Sequence, residues 1–379
     1  MRLGAKALGF LLISPVFALA QPEAERLELV HADQLVGERV ASGTLRRLDG
    51  NVLFRQGDAW MRCDRAVQFV EEGRVVFLGD VQFSRGDLLL RADRVTYLAG
   101  SREEWAEGRV LVEDSVRFLR AEKLHYQEIP EIARASGEVE LRHRRTRAVL
   151  RADTVVYHRV SGLAEGWGHP RLAQEDSAGR TVFVLTGRRV RWFEDSRIFE
   201  AIGEVRIEQG SSWATCDTLR YFRSSETAVL RGQPSTWRRW EKVTGQEMEW
   251  RFVGDSLRQV HVWGRARVTS EADTLAPGTR RNHVEGDTIA VFFAEGEPRR
   301  VEVRGRATGL YYVFERSEPK GANWVLGDEI VLWVRGGRVQ SMEVRGVPEA
   351  AEGRYYPERI VRFAQTEMTP GRKPLPIQE

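Results

Sequence analysis

Ten glycines stand in a near-regular register along this 379-residue chain: Gly50, Gly79, Gly108, Gly137, Gly168, Gly203, Gly232, Gly264, Gly305 and Gly346. The first three intervals are 29 residues each, the step from Gly203 to Gly232 is 29 again, and the last two are 41. A second landmark runs between them: Cys63-Asp64, Ala92-Asp93, Ala121-Glu122, Ala152-Asp153, Cys216-Asp217, Gly286-Asp287 and Gly327-Asp328, with Ala32-Asp33 as a lone first copy. From the acidic residue to the next glycine the spacing is 15 residues five times, then 18 for the last two. Such regularity means stacked copies of one supersecondary unit, and it overrides the two or three domains that length alone implies.

Side-chain parity identifies the unit. Val75, Phe77, Val81 and Phe83 share the parity of Gly79; around Gly137, Ala133, Ala135, Val139 and Leu141 alternate with Arg134, Ser136, Glu138, Glu140 and Arg142. Strict alternation over nine residues is a β-strand with one buried face. A glycine in the middle of such a strand marks a bend or bulge. Across each acidic landmark the inward phase slips by one residue: Leu90 and Ala92 precede Asp93, whereas Val95 and Tyr97 follow it. That slip is a corner, where a carboxylate accepts hydrogen bonds from nearby backbone N–H groups. The unit is two strands, one bent at glycine and one cornered at Asp, and no run of helical period follows residue 20. The expected class is all-β, of stacked two-strand repeats.

Residues 1–20 carry Arg2 and Lys6, an apolar run from Ala7, and Ala18-Leu19-Ala20 before Gln21. This is the pattern of a cleavable secretory signal peptide, too short to span a bilayer as a helix. The expected organisation is a signal peptide (1–20), N-terminal repeats (21–160), C-terminal repeats continuous with them (161–350), and a partly disordered tail (351–379). Export permits disulfides, but Cys63 and Cys216 occupy equivalent positions five units apart, on the order of 24 Å at one strand spacing per unit. Two free, inward-facing thiols are expected.

Charge argues against nucleic acid: 58 Lys+Arg against 55 Asp+Glu, interleaved along the chain, leave no basic stripe. The recurring Asp invites comparison with the paired carboxylates of glycosidases. A catalytic acid is needed once or twice, however, whereas this Asp recurs wherever a corner does. The seven histidines have no metal-ligand spacing, and no nucleophile elbow or phosphate-cradling loop is present. No catalytic residue, metal or cofactor is expected. Trp237, Trp240, Trp250 and Trp263 fall in the least regular stretch, where they are expected to cap a distorted core.

Gly50-Asn51-Val52, Gly79-Asp80-Val81, Gly137-Glu138-Val139 and Gly203-Glu204-Val205, alternating with Ala92-Asp93-Arg94-Val95-Thr96-Tyr97 and Ala152-Asp153-Thr154-Val155-Val156-Tyr157, resemble the OstA-like family over roughly residues 27–348. The resemblance implies an open antiparallel β-jellyroll, the β-taco, solenoid-like in its stacking, whose apolar interior holds the acyl chains of lipopolysaccharide in the periplasm. It implies no enzymatic activity. The lipid-binding face it implies comprises Val52, Phe54, Val75, Phe77, Val81, Phe83, Leu90, Val110, Val112, Leu119, Val139, Leu141, Leu150, Val205 and Ile207. The implied partners are lipopolysaccharide or a related lipid, and inner- and outer-membrane transport components joined by end-strand pairing, with head-to-tail self-association.

Three features depart from the pattern. The chain is about twice the length of the short bridge proteins of that family. Gly187 stands where Asp is expected, and the motif is lost near Gln246. Pro170, Pro234 and Pro348 replace the valine two residues after glycine. An interruption of the groove is expected between residues 160 and 250. From the residues alone the inward face reads first as a closed, dry core, as in a structural or adhesive β-repeat protein without a ligand.

Overall fold

The computed structural model describes residues 28–364 apart from 42, 239–240, 255, 274–278, 316–317, 337 and 348–350; the signal-peptide reading, Trp240, Pro348 and the end of the tail lie outside the described residues. The chain divides into two compact units, 1–181 with 188–196, and 182–187 with 197–379.

The first unit runs β1 (Glu28–His31), β2 (Gln34–Val40), β3 (Gly43–Gln56), β4 (Ala59–Phe69), β5 (Arg74–Arg85), β6 (Leu88–Leu98), β7 (Glu103–Glu113), β8 (Arg117–Gln127), β9 (Ile132–His143), β10 (Ala148–His158), β11 (Leu163–Trp167) and β12 (Arg171–Glu175). From Val182 onward β13 (Thr181–Thr186) belongs to the second unit, and β14 (Arg189–Phe193) returns to the first. The second unit continues with β15 (Ile198–Gln209), β16 (Ser212–Phe222), β17 (Thr227–Arg231), β18 (Ser235–Arg238), β19 (Glu241–Thr244), β20 (Glu247–Val253), β21 (Ser256–Glu271), β22 (Arg281–Ala294), β23 (Glu297–Glu315), β24 (Glu318–Arg335), β25 (Arg338–Arg345), β26 (Glu352–Pro357) and a short helix α1 (Glu358–Ala364). Consecutive long strands pair antiparallel, as the two-strand repeat requires.

The glycine and Asp landmarks meet in one corner. In the β5–β6 ladder Leu78 pairs with Arg94 and Val81 with Ala92, so Gly79 and Asp80 together face only Asp93. The same two-against-one bulge sets Gly50-Asn51 against Asp64, Gly137-Glu138 against Asp153, and Gly203-Glu204 against Asp217. Both residues of each glycine pair lie in the left-handed region: Gly79 has φ 77° and Asp80 φ 37°. After the first nine marker glycines this second position is polar, as Asn51, Asp80, Arg109, Glu138, His169, Glu204, Gln233, Arg265 and Arg306.

Each corner folds its strand into two arms whose inner faces meet. Phe54, beyond the corner of β3, packs edge-on against Phe77, before the corner of β5, with ring centroids 6.2 Å apart. In the second unit Phe183 stacks on Tyr221 at 5.5 Å.

In the irregular stretch the rungs persist but their corners are cut. β11 and β12, on either side of Pro170, both pair with β10; β17 and β18, on either side of Pro234, both pair with β16. Proline has no N–H to give the ladder, so an arm ends there without losing its neighbour. Residues 352–364, assigned from sequence to a partly disordered tail, form β26 and α1, a helix the sequence reading did not expect. Val361 of α1 is wholly buried with Leu310, Tyr312, Ala322, Trp324 and Tyr356. No helix among the described residues is long and apolar enough to cross a membrane.

Candidate functional site

Parity carries the apolar residues inward. Of the fifteen residues expected to form the lipid-binding face, all but Val75, which is half-buried, are buried. Near one rim of the first unit, cross-strand registers align Val75, Tyr97, Glu104, Tyr126, Ala133, Tyr157, Ala164 and Trp192 in one row. Large rings alternate with smaller side chains along it from Tyr97 onward.

Where the small residues fall, the arms leave space. A cavity enclosing about 650 Å³ of empty space to its mouth is lined by Val112, Leu119, Leu124, Tyr126, Ala133, Ala135, Leu141, Val155 and Tyr157. Leu119 precedes its corner and Leu124 follows it, so both arms form the wall. One end is polar: Arg117 holds Glu194 at 2.7 Å, and the Tyr157 hydroxyl donates to Glu194 at 3.2 Å. Burial pushes the Tyr157 hydroxyl above its ordinary range, and the Glu194 charge adds to this. Burial opposes the Arg117 charge, but Glu194 outweighs it and raises the guanidinium's pKa.

The second unit holds a larger opening, with about 1000 Å³ of empty space counted out into the solvent at its mouth, walled mainly by Val260, Val268, Val284, Val291, Val301, Leu332 and Met342. Its polar lining includes Thr236, Arg238, Asn282 and His283. Burial lowers the His283 pKa to about 4, and Arg267 opposes protonation further.

Other inward side chains are wholly inaccessible. In the first unit Ala148, Val149 and Leu150 are fully buried; in the second Leu185, Ile207, Leu230, Met248 and Trp250 are equally inaccessible. Within residues 160–250, where the sequence predicts an interruption of the groove, Leu185, Ile207, Leu230, Met248 and Trp250 are fully buried, yet Ser212, Thr236, Arg238, Glu241 and Val243 line the second cavity.

Comparison with known families bears on the first unit: residues 24–138 match the model described as OstA-like protein. Residues 24–138 are an OstA-like region. No curated protein matches the chain.

The OstA-like region spans the four evenly spaced corners from Gly50 to Gly137 and supplies most of the first cavity's wall; Leu141, Val155 and Tyr157 lie beyond it. Val112, Leu119 and Leu141, among the expected lipid-binding residues, line that cavity, while Val52, Phe77, Val81 and Val110 are buried without lining it. Sequence reasoning missed the second cavity, although its signal was present: Val260 and Val262, Ile289 and Val291, Val301 and Val303 continue the same alternation. Strands there are longer and their landmarks sparser.

The acidic column serves the corners. The Asp153 N–H donates to the Gly168 carbonyl at 2.9 Å, and the Asp33 N–H to that of Gly50 at 3.0 Å. At several corners the carboxylate is also met by the residue after glycine: Asn51 donates to Asp33 at 3.1 Å and Arg109 to Asp93 at 2.9 Å. The Arg109 hydrogen bond and charge hold the Asp93 carboxyl below its usual range. Among the described residues no group of three or more His, Cys, Asp or Glu is arranged to hold a metal ion. Cys63 and Cys216 are free and buried, each thiol pushed up to about 12 mainly by burial. Trp250 is wholly buried, whereas Trp237 stacks on Trp213 at 3.9 Å and Trp263 lies partly exposed beside His261.

Proposed function

We propose that this protein is a non-enzymatic lipid carrier of the periplasm, exported by its N-terminal signal peptide, whose β-lined interior holds the acyl chains of lipopolysaccharide or a similar amphiphile on its way toward the outer membrane. The observation that carries this reading is an apolar cavity between strand arms in each unit, the first walled largely by the OstA-like region. Holding an acyl chain needs contiguous apolar area and no directional chemistry, at roughly 25 cal/mol for each Å² buried. Partner contact would use the sheet's edge. β1 and β2 pair with β3 and expose Leu29, Val30, Leu35 and Val36 beside backbone groups able to accept another strand.

Site-specific photo-crosslinking tests the reading. A crosslinker at Leu141 or Val291, one in each cavity, is expected to yield lipid adducts in cells, while one at the tightly packed Leu150 yields none. Crosslinks confined to other inward side chains at all three positions would refute the carrier. A second reading, a structural β-repeat rod with a closed core, is favoured by the fully buried set from Leu150 to Trp250 and would give that second result.

A further inference from the structure

Two polar side chains interrupt the apolar inner row of the first unit. Tyr97 on β6 and Glu104 on β7 face each other in register, and both are 5% exposed. The Tyr97 hydroxyl is buried without a hydrogen-bond partner. Its counterparts in the row are satisfied: Arg159 hydrogen-bonds Tyr126, and Tyr157 meets Glu194. Glu104 makes no hydrogen bond or ion pair among the described residues. Across its other side, Glu104 faces Tyr126, a wall residue of the first cavity. Buried groups of this kind cost stability unless something pairs with them.

We propose that Tyr97 and Glu104 form a recognition point for an uncharged hydroxyl-bearing group of an amphiphile whose chain lies in the adjoining cavity. The inference rests on the carrier reading and adds a selectivity to it. Burial, with the nearby Glu128 charge, raises the Glu104 pKa well above its ordinary value and favours the neutral acid, which both donates and accepts. The Tyr97 hydroxyl does the same. A ligand hydroxyl satisfies both at once. A phosphate does not, because it would bring negative charge beside Glu104 and Glu128, with Arg102 the one cation among the described residues that acts on Tyr97.

The test measures binding of a medium-chain monoacylglycerol and of the alkyl phosphate of equal chain length to the full chain. Tyr97→Phe, Glu104→Leu and Glu104→Gln are compared with the wild type. The wild type is expected to prefer the monoacylglycerol by about tenfold. Tyr97→Phe and Glu104→Leu each weaken that probe by roughly five- to tenfold, do not weaken the phosphate, and Glu104→Gln stays within about twofold. Tyr97→Phe is a minimal change that keeps the ring, so it carries the test should Glu104→Leu fail to fold. Equal affinities for the two probes, or a monoacylglycerol affinity unmoved by Tyr97→Phe, overturns the recognition point and leaves the carrier standing. Failure of both probes to bind the wild type overturns the carrier reading, and the recognition point with it.

Discussion

The side chain of Asp64 lies over the Cα of Gly79, so close that a Cβ on Gly79 would fall 2.8 Å from both the Cβ and the Cγ of the aspartate. The same relation joins Asp93 to Gly108, Glu122 to Gly137, Asp153 to Gly168, Asp217 to Gly232 and Asp287 to Gly305, and Gln246 takes the acid's place over Gly264. Each acid thus reserves the corner of the next bent strand for glycine.

Gly79→Ala is therefore expected to be much worse than Gly86→Ala. Both glycines have positive φ, but nothing lies within 4 Å of a Cβ at Gly86. Left-handed strain alone costs about 1–2 kcal/mol; the Asp64 overlap should carry Gly79→Ala beyond about 3 kcal/mol. Asp64→Ala relieves part of that overlap, so the double variant should be less destabilised than the sum of the singles, read from denaturant midpoints. Strict additivity would show that the carboxylate does not govern the corner.

The corner explains what was legible in the sequence. The one-residue phase slip at Asp93 and the inward parity of Gly79 were visible as separate features; their meeting in one bulge was not, because parity describes one strand at a time. The motif lost near Gln246 proved to be a substitution, since an amide of similar reach covers Gly264. Pro170 and Pro234 marked real breaks in the arms, but pairing with β10 and β16 preserves the rungs. Helix α1 escaped notice because seven residues carry less than two full helical periods. Glu104 occupies an inward parity position, yet an acid there looks like an exception to the pattern, and only burial shows it to be part of the row.

The α1 helix should behave as a detachable end-piece. It is tied by Val361 in the apolar cluster and by Glu358, whose carboxylate meets Arg280 at 2.6 Å. Val361→Asp places a charge in that cluster. Hydrogen exchange at residues 352–364 is expected to rise by about tenfold or more, with the amides of β5–β8 unchanged. Exchange rising equally in both regions would mean the helix is integral to global folding.

Glu104 predicts a stability that declines toward alkaline pH. Its folded pKa is raised above the unfolded value, so its contribution is fully present below the unfolded pKa and is lost as pH rises through the folded one. Glu104→Gln should gain stability relative to the wild type as pH increases from about 5 upward. Parallel pH profiles for the two proteins would contradict a buried, protonated Glu104.

His283 predicts the opposite limb. With its folded pKa lowered from 6.5 to about 4, the neutral ring favours the fold above pH 6.5, and that stability is lost as pH falls toward 4. The loss is on the order of 2–3 kcal/mol. His283→Asn should flatten the acid limb of a denaturation profile between those values, and an unchanged limb would place the acid sensitivity elsewhere.

Mass spectrometry of the protein purified from its native envelope, without delipidation, reaches the central claim most directly. The account predicts a co-purifying amphiphile bearing acyl chains, diminished when Leu141→Trp and Val291→Trp fill the two cavities while the fold persists. A lipid-free protein, or a lipid signal identical in the filled variant, would contradict it.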